Sequence, residues 1–250
     1  MRTVVVGASS GLGRSIAVGL GKRGAQVALL ARRQDRLEEA AREIGPDALA
    51  VACDVTDEDS CRQAIDKAAA HLGGIDGLVY APAIGPLHRL IDTDAATWRR
   101  VFDTNVVGAS LVTAAAVPHL EACGGVALYL SSTSASLTPP WPGLGAYSVS
   151  KAALDKLVEA WRIEHAHVAF TRVTVGECIG GEGHSMTEFN QGWDLDLAAE
   201  VAPLWISRYY MSGAFVAVEE LVRVLDHVIG CGSTVTIPSV AVIPRPAAAD

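Results

Sequence analysis

The sequence lacks any concentrated run of basic residues. Its 28 aspartates and glutamates outnumber its 20 lysines and arginines, which gives a formal net charge of −8 at pH 7. Because contact with nucleic-acid phosphates requires a positively charged surface, this composition argues against a nucleic-acid partner. It favours a small molecule as the partner.

Cysteines and long apolar segments are also few. The five cysteines are scattered and never form a C-x-x-C pair, which is typical of free thiols in a reducing compartment and argues against disulfides or a metal site. The N-terminus shows no signal-peptide pattern. The most apolar segment, 106–120, contains Gly108 and Pro118 and is shorter than a membrane span, so we interpret it as a buried helix. We therefore expect a cytoplasmic protein without a membrane partner.

Short β-branched segments alternate with helical patterns along the whole chain. With 250 residues, of which 50% are apolar, one large core can form, and we expect a single domain over 1–250 with a substrate loop at about 176–212. The predicted strands are 3–6, 26–30, 49–53, 76–80, 126–130, 168–175 and 234–237. The longer predicted helices are 34–44, 94–121, 147–165 and 218–229. This order predicts an α/β fold, a Rossmann-like doubly wound parallel sheet with helices on both faces.

A glycine-rich turn follows the first strand and precedes the first helix. Gly7, Gly11 and Gly13 in this context allow a tight turn and a close approach of the backbone to a pyrophosphate, whose charge is stabilised at the helix N-terminus. An ordinary glycine-rich connection is the alternative. The turn predicts a dinucleotide site.

The end of the second strand indicates which dinucleotide binds. Ala31 stands where an acidic residue would hold a free ribose 2′-hydroxyl, and Arg32 and Arg33 follow it. Arg14 comes directly after the glycine turn. Arginines at such positions accommodate a 2′-phosphate, so we expect NADP(H) over NAD(H). The alternative is that these arginines only begin the next helix.

Tyr147 and Lys151 lie four residues apart in a predicted helix. This spacing places both side chains on one helix face. We expect the Lys151 ammonium to lower the pKa of the phenol below its ordinary value of about 10, so that Tyr147 acts as a general acid or base. A solvated helix face is the alternative for this pair taken alone.

Together these motifs resemble the short-chain dehydrogenase/reductase family over residues 3–237. The resemblance implies an NADP(H)-dependent oxidoreductase that interconverts a carbonyl and an alcohol. Its catalytic residues would be Asn105, Ser132, Tyr147 and Lys151. Its cofactor-binding residues would be Gly7, Ser9, Ser10, Gly11, Leu12, Gly13, Arg14, Arg32, Arg33, Asp54, Val55, Ala81, Tyr147 and Lys151. The family's dimers and tetramers lead us to expect a homo-oligomer.

The resemblance also implies a role for each catalytic side chain. Tyr147 would transfer the proton, Ser132 would hydrogen-bond the carbonyl oxygen, and Lys151 would hold the nicotinamide ribose and lower the phenol pKa. Asn105 would position a water. Ser134 is an alternative to Ser132, because its distance of thirteen residues to the tyrosine is the more common one.

Two segments depart from the family pattern. Residues 80–83 (Tyr-Ala-Pro-Ala) replace an Asn-Asn-Ala-Gly motif, and residues 175–181 replace a Pro-Gly motif. These differences leave open a second hypothesis, an NADP(H)-binding sensor without efficient redox chemistry. Within the substrate loop, His184, Met186, Phe189 and Trp193 are candidates to line a lid; a plain surface loop is the alternative. We assign Trp98, Trp161 and Trp205 to packing.

Overall fold

The computed structural model describes residues 1–232 and 234–245. Seven parallel strands form one sheet in the order β3-β2-β1-β4-β5-β6-β7. The strands are β1 (Arg2–Val6), β2 (Gln26–Ala31), β3 (Leu49–Ala52), β4 (Gly77–Tyr80), β5 (Val126–Ser132), β6 (Ala169–Val175) and β7 (Ser239–Val242). The prediction of a doubly wound parallel sheet is confirmed.

Helices cover both faces of this sheet. They are α1 (Gly11–Lys22), α2 (Gln34–Ile44), α3 (Glu58–Leu72), α4 (Ala95–Phe102), α5 (Gly108–Cys123), α6 (Thr133–Ser136), α7 (Gly145–Glu164), α8 (Leu195–Ser207) and α9 (Val218–Ile229). Alternate residues of β1 enter opposite cores: Val4 and Val6 pack on the side of α3 and α5, and Val5 packs on the side of α1 and α9. Burial on both faces explains why the strands read as apolar runs.

The strand order reverses between β1 and β4. Strand β1 pairs with β2 on one side and with β4 on the other. The chain leaves the carboxyl ends of β1 and β4 in opposite directions, which opens a crevice at the edge of the sheet. This crevice is where the predicted site residues converge.

The apolar segment 106–120 is part of the predicted helical region 94–121, which the structure confirms. A π-helical turn (Asp103–Val107) joins α4 to α5, and the continuous helix Ala95–Cys123 has 29 residues and the hydropathy of a membrane span. The segment 106–120 alone is shorter than a membrane span, but the helix that contains it is long enough for one, so the expectation drawn from the length of the segment is wrong. One side of α5 is nevertheless buried in the protein, with Val112, Ala116 and Leu120 fully enclosed against α3 and the sheet.

The last strand lies further along the chain than predicted. Residues 234–237 have β-branched side chains but form no strand, and β7 begins at Ser239, which pairs with Arg172 of β6. Strand propensity is a weak local preference that pairing overrides. Pro238 has no N–H to give to a ladder, and its carbonyl instead accepts a hydrogen bond from the Arg172 backbone. The parallel ladder follows the proline.

Candidate active site

A cavity of about 1030 Å³ opens along the carboxyl ends of the central strands. Residues 176–216, which we call the cover, close part of it from above. Fourteen of the predicted site residues line the cavity: Gly7, Ser9, Ser10, Gly11, Leu12, Gly13, Arg32, Arg33, Asp54, Val55, Ala81, Ser132, Tyr147 and Lys151. Arg14 and Asn105 are not among the lining residues.

The glycine turn is shaped by close backbone contacts. Gly7 has φ +81°, and a Cβ on Gly13 would lie 2.2 Å from the Gly7 carbonyl oxygen. Ser10, the N-cap of α1, makes no side-chain capping hydrogen bond among the described residues. The first amides of α1 therefore remain available to an anion, and the backbone cradle fits a pyrophosphate.

Arg14 is not among the residues that line the cavity, and its assignment to the cofactor stays a prediction. Its guanidinium is buried and pairs with Glu39 at 3.0 Å and Glu43 at 3.2 Å, both on α2. It also donates to Ser185 Oγ at 2.9 Å. A buried arginine requires such partners, so Arg14 joins α1 to α2 and to the cover.

Arg33 is the arginine that contacts the glycine turn. Its guanidinium donates to Ser10 Oγ at 2.7 Å and to Ser9 Oγ at 3.0 Å. It also pairs with Glu188 of the cover at 2.8 Å, and the same carboxylate pairs with Arg36 at 2.5 Å. The sequence analysis did not predict Glu188, because its partners lie more than 150 residues away along the chain.

Asp54 follows β3 on the same edge of the sheet. Hydrogen bonds from the Thr56 amide at 3.0 Å and the Thr56 hydroxyl at 2.8 Å hold the pKa of Asp54 below its ordinary value against the effect of burial. The carboxylate is thus ionised and fixed at the cavity wall, with free acceptor capacity toward the cavity.

Helix α7 places Tyr147 and Lys151 side by side. The Lys151 ammonium lies 5.9 Å from the centre of the Tyr147 ring and donates to the Leu130 carbonyl at 2.6 Å. Burial lowers the pKa of Lys151 to about 8, although Asp155 opposes this shift.

The pKa of Tyr147 corrects the sequence analysis. Tyr147 is half-buried, and burial raises its pKa to about 12, with an opposing influence from the Ser132 hydroxyl. The expected lowering by Lys151 is therefore wrong in this structure. Burial disfavours the charged phenolate, and Lys151 directs its ammonium to a backbone carbonyl.

Ser132 and Ser134 lie together where β5 ends. Ser132 Oγ accepts from the Ser134 amide at 3.2 Å and lies 3.0 Å from Ser134 Oγ. Ser132 thereby caps the short helix α6. The Ser132 hydroxyl opposes the rise in the pKa of the Tyr147 phenol, and the choice between the two serines as the catalytic one stays a prediction.

Asn105 lies in the π-helical turn and is fully buried. Its amide accepts from the Ile84 N–H at 2.9 Å and donates to the Ile84 carbonyl at 2.9 Å. It also donates to Ser150 Oγ at 2.9 Å. Asn105 therefore ties the loop after β4 to α7, and its role toward a water stays a prediction.

The segment that replaces Asn-Asn-Ala-Gly has contacts of its own. The Tyr80 hydroxyl donates to the Thr104 carbonyl at 2.5 Å, which satisfies a backbone acceptor in the π-helical turn. Pro82 lies against the glycine turn, because a Cβ on Gly7 would lie 2.9 Å from its nitrogen. The replaced residues thus still support both the turn and the helix.

Aromatic side chains form the wall nearest the phenol. Phe189 meets the Tyr147 ring edge-on with centroids 4.8 Å apart, and Trp193 follows 5.6 Å from Phe189. Trp193 donates to the Gly85 carbonyl at 2.8 Å. Trp205, which the sequence analysis assigned to packing, also lines the cavity. An aromatic wall of this kind suits an apolar ligand.

Comparisons with known proteins agree with this geometry. A family model described as short chain dehydrogenase matches residues 2–191. The 11-beta-hydroxysteroid dehydrogenase 1A of Arabidopsis thaliana is 36% identical over 195 residues, covering 72% of this chain and 55% of that protein. This chain spans about half the length of the curated relatives it matches first.

Solved structures share the fold over nearly the whole chain. A 3-ketoacyl-(acyl-carrier-protein) reductase from Brucella melitensis complexed with NADH has a TM-score of 0.78 and 25% identity, covering 96% of this chain and 95% of that chain. An alcohol dehydrogenase from the archaeon Thermococcus sibiricus complexed with 5-hydroxy-NADP has a TM-score of 0.79 and 22% identity, covering 96% and 94%. At that identity the second match supports the fold alone.

Proposed function

The chain belongs to the short-chain dehydrogenase family, and from this premise we propose that it is an NADP(H)-dependent oxidoreductase that interconverts a carbonyl and an alcohol. The observation that carries the proposal is the placement of Ser132, Tyr147 and Lys151 in one cavity with the glycine turn. Proton-transferring groups and a pyrophosphate cradle thus share a single crevice, which is the requirement for dinucleotide-dependent redox chemistry.

Each end of the cavity suits a different part of the dinucleotide. Backbone amides at the start of α1 would hold the pyrophosphate, and Asp54 would lie at the adenine end. Arg32 and Arg33 line the cavity beyond the glycine turn, which supports a 2′-phosphate there and hence NADP(H) over NAD(H). When bound, the nicotinamide supplies or accepts the hydride.

The protein's own side chains would manage the proton. With its pKa raised to about 12, Tyr147 stays protonated at neutral pH and can donate to the alkoxide that forms when a carbonyl is reduced. Ser132 would hydrogen-bond the same oxygen and stabilise its developing negative charge. The protonated phenol is the form that reduction of a carbonyl requires.

The wall of the cavity indicates the class of substrate. Phe189 lies beside the phenol, and Trp193 and Trp205 continue this aromatic wall of the cavity. These rings would enclose a bulky apolar body while its carbonyl meets Tyr147. The hydroxysteroid named for the Arabidopsis relative is a substrate of this shape. We therefore propose ketones and secondary alcohols of apolar, ring-containing compounds.

A Tyr147→Phe variant tests the chemistry. Loss of the proton donor should lower kcat by about 100- to 10,000-fold, measured through NADPH absorbance with a panel of cyclic ketones, and NADPH affinity should change less than about twofold. Tyr209→Phe is the control, because Tyr209 is 91% exposed. Full activity of Tyr147→Phe would refute the mechanism.

One observation favours the second hypothesis, a nucleotide-binding sensor. The Phe189 ring covers the Tyr147 ring at 4.8 Å, which limits access of a substrate to the phenol. A sensor would bind NADPH tightly, but no ketone in the panel would cause its oxidation. The same titration and assay therefore separate the two candidates.

A further inference from the structure

A carboxylate of the cover occupies the positively charged end of the cavity. Glu188 bridges Arg33 and Arg36, with one oxygen on each guanidinium. Burial alone would raise the pKa of Glu188, but hydrogen bonds from Arg36, Arg33 and Ser10 outweigh it and lower the pKa to about 2. The side chain is therefore a fixed anion at neutral pH.

The segment that carries Glu188 continues onto the tyrosine. We call residues 186–189 the strap. It crosses the glycine turn, since a Cβ on Gly11 would lie 3.5 Å from Thr187 Cα, and it ends with Phe189 against Tyr147. Four consecutive residues thus connect the arginines, the start of α1 and the phenol.

We propose that Glu188 determines cofactor choice by competing with the 2′-phosphate of NADP(H) for Arg33 and Arg36. This inference rests on the proposed function. A phosphate monoester carries about 1.5 to 2 negative charges at neutral pH, against one for a carboxylate, and arginine binds both groups in the same forked geometry. The neutral 2′-hydroxyl of NAD(H) cannot replace Glu188 in this way.

Displacement of Glu188 has a consequence for the substrate side. Phe189 is the next residue, so a strap lifted from the arginines also moves the ring away from Tyr147. Binding of the phosphorylated cofactor therefore uncovers the phenol. An unphosphorylated cofactor leaves Glu188 paired and Phe189 in place.

Fragments of the cofactor test the competition without turnover. Isothermal titration of the wild type, Glu188→Gln and Glu188→Ala would use adenosine 2′,5′-bisphosphate and adenosine 5′-monophosphate. Both variants should bind the bisphosphate roughly tenfold more tightly than the wild type, equivalent to about 1.4 kcal/mol, and the monophosphate within about twofold. The control is Glu182→Gln, an exposed acid on the same loop, which should change neither affinity.

Tryptophan emission reports the movement of the strap. Trp193 lies 5.6 Å from Phe189, so the bisphosphate should change the emission of the wild type, and the monophosphate should not. The change should be lost in Trp193→Phe.

The outcomes separate this inference from the proposed function. If the folded variants, checked by thermal melting, bind the bisphosphate no more tightly than the wild type does, Glu188 does not compete and the inference fails alone. An equal gain for both nucleotides also refutes it, because the gain must depend on the 2′-phosphate. If wild type and variants bind neither nucleotide, the dinucleotide site itself is wrong and both proposals fall.

Discussion

The base of the cavity and its cover are held in place by different interactions. At the base, Lys151 is 2% exposed and its ammonium is fixed on a backbone carbonyl of β5. The cover is attached through side chains such as Arg33, which is 40% exposed, and Glu188, which is 21% exposed. Partly exposed ion pairs contribute little to stability, whereas a buried charge that loses its partner costs several kcal/mol.

This contrast separates two tasks. The groups proposed to move protons are carried by β5 and α7, whose buried residues belong to the core. Glu188, proposed to compete for the cofactor site, lies where the cover is attached by partly exposed ion pairs, and it can be displaced there at small cost in free energy. Substitutions in the two regions should therefore differ in the size of their effect and in whether they change stability or substrate binding.

The largest effect is expected from Gly13→Ala at the base. The new Cβ would lie 2.2 Å from the Gly7 carbonyl oxygen and 2.8 Å from its carbon, and neither backbone atom can rotate away. The free energy of unfolding should fall by roughly 2 to 4 kcal/mol, measured by urea denaturation, and nucleotide binding should be lost.

Gly24→Ala is the control for this clash. Gly24, unlike Gly13, has a positive φ, +91°, and its Cβ would meet nothing within 4 Å. Its cost should stay near 1 kcal/mol. Equal losses for the two variants would show that the glycine turn is not held by close contact.

The second effect concerns the pH dependence of Lys151. Its pKa in the folded protein is about 8, below its ordinary value of 10.5, so between these pH values the unfolded chain binds more protons. Stability therefore rises with pH across that window. The unfolding free energy of the wild type minus that of Lys151→Met should increase by about 2 kcal/mol from pH 8 to 10.5.

Lys156→Met provides the matched comparison for this profile. Lys156 lies on the same helix, but its side chain is 79% exposed. In urea denaturation, the unfolding free energy of Lys156→Met should differ from that of the wild type by the same amount across this pH window. A flat profile for Lys151→Met as well would mean that Lys151 is solvated.

The smallest change in stability is expected from Gly85→Ala beneath the cover. Its Cβ would lie 2.1 Å from the tip of the Phe189 ring, and the ring can rotate aside. The unfolding free energy should change by less than about 1 kcal/mol, while KM for a bulky ketone should shift severalfold. Gly85→Ala and Phe189→Leu should couple in a double-mutant cycle. Strict additivity of their effects on the unfolding free energy would contradict the contact.

The sequence predicted the base of the cavity better than its cover. Helices 34–44 and 218–229 were predicted with the bounds that the structure has, because apolar periodicity and local start signals determine them. The strands that are buried on both faces were also predicted, because they appear in the sequence as short apolar runs. The glycine turn and the Tyr147 pair form from residues close in sequence, and the fold brings them together.

The cover depends on contacts that no local pattern reveals. Helix α8 was missed within a region rich in glycine and aromatic residues, although Asp194 caps its first turn. Glu188 pairs with Arg36 and Arg33, which lie 152 and 155 residues away in sequence. Arg14 pairs with two glutamates of α2 and not with residues that line the cavity. The pKa of Tyr147 depends on burial, which spacing alone cannot supply.

The direction of the Asn105 side-chain amide depends on the π-helical turn at Asp103–Val107. Such a turn is equivalent to a single residue inserted into a regular helix, and each residue of an α-helix advances about 100° around its axis. Shortening this stretch by one residue would swing Asn105 out of phase with Ile84 and Ser150. The number of residues in one turn, as much as their identity, thus keeps the loop after β4 aligned with the helix that bears the phenol.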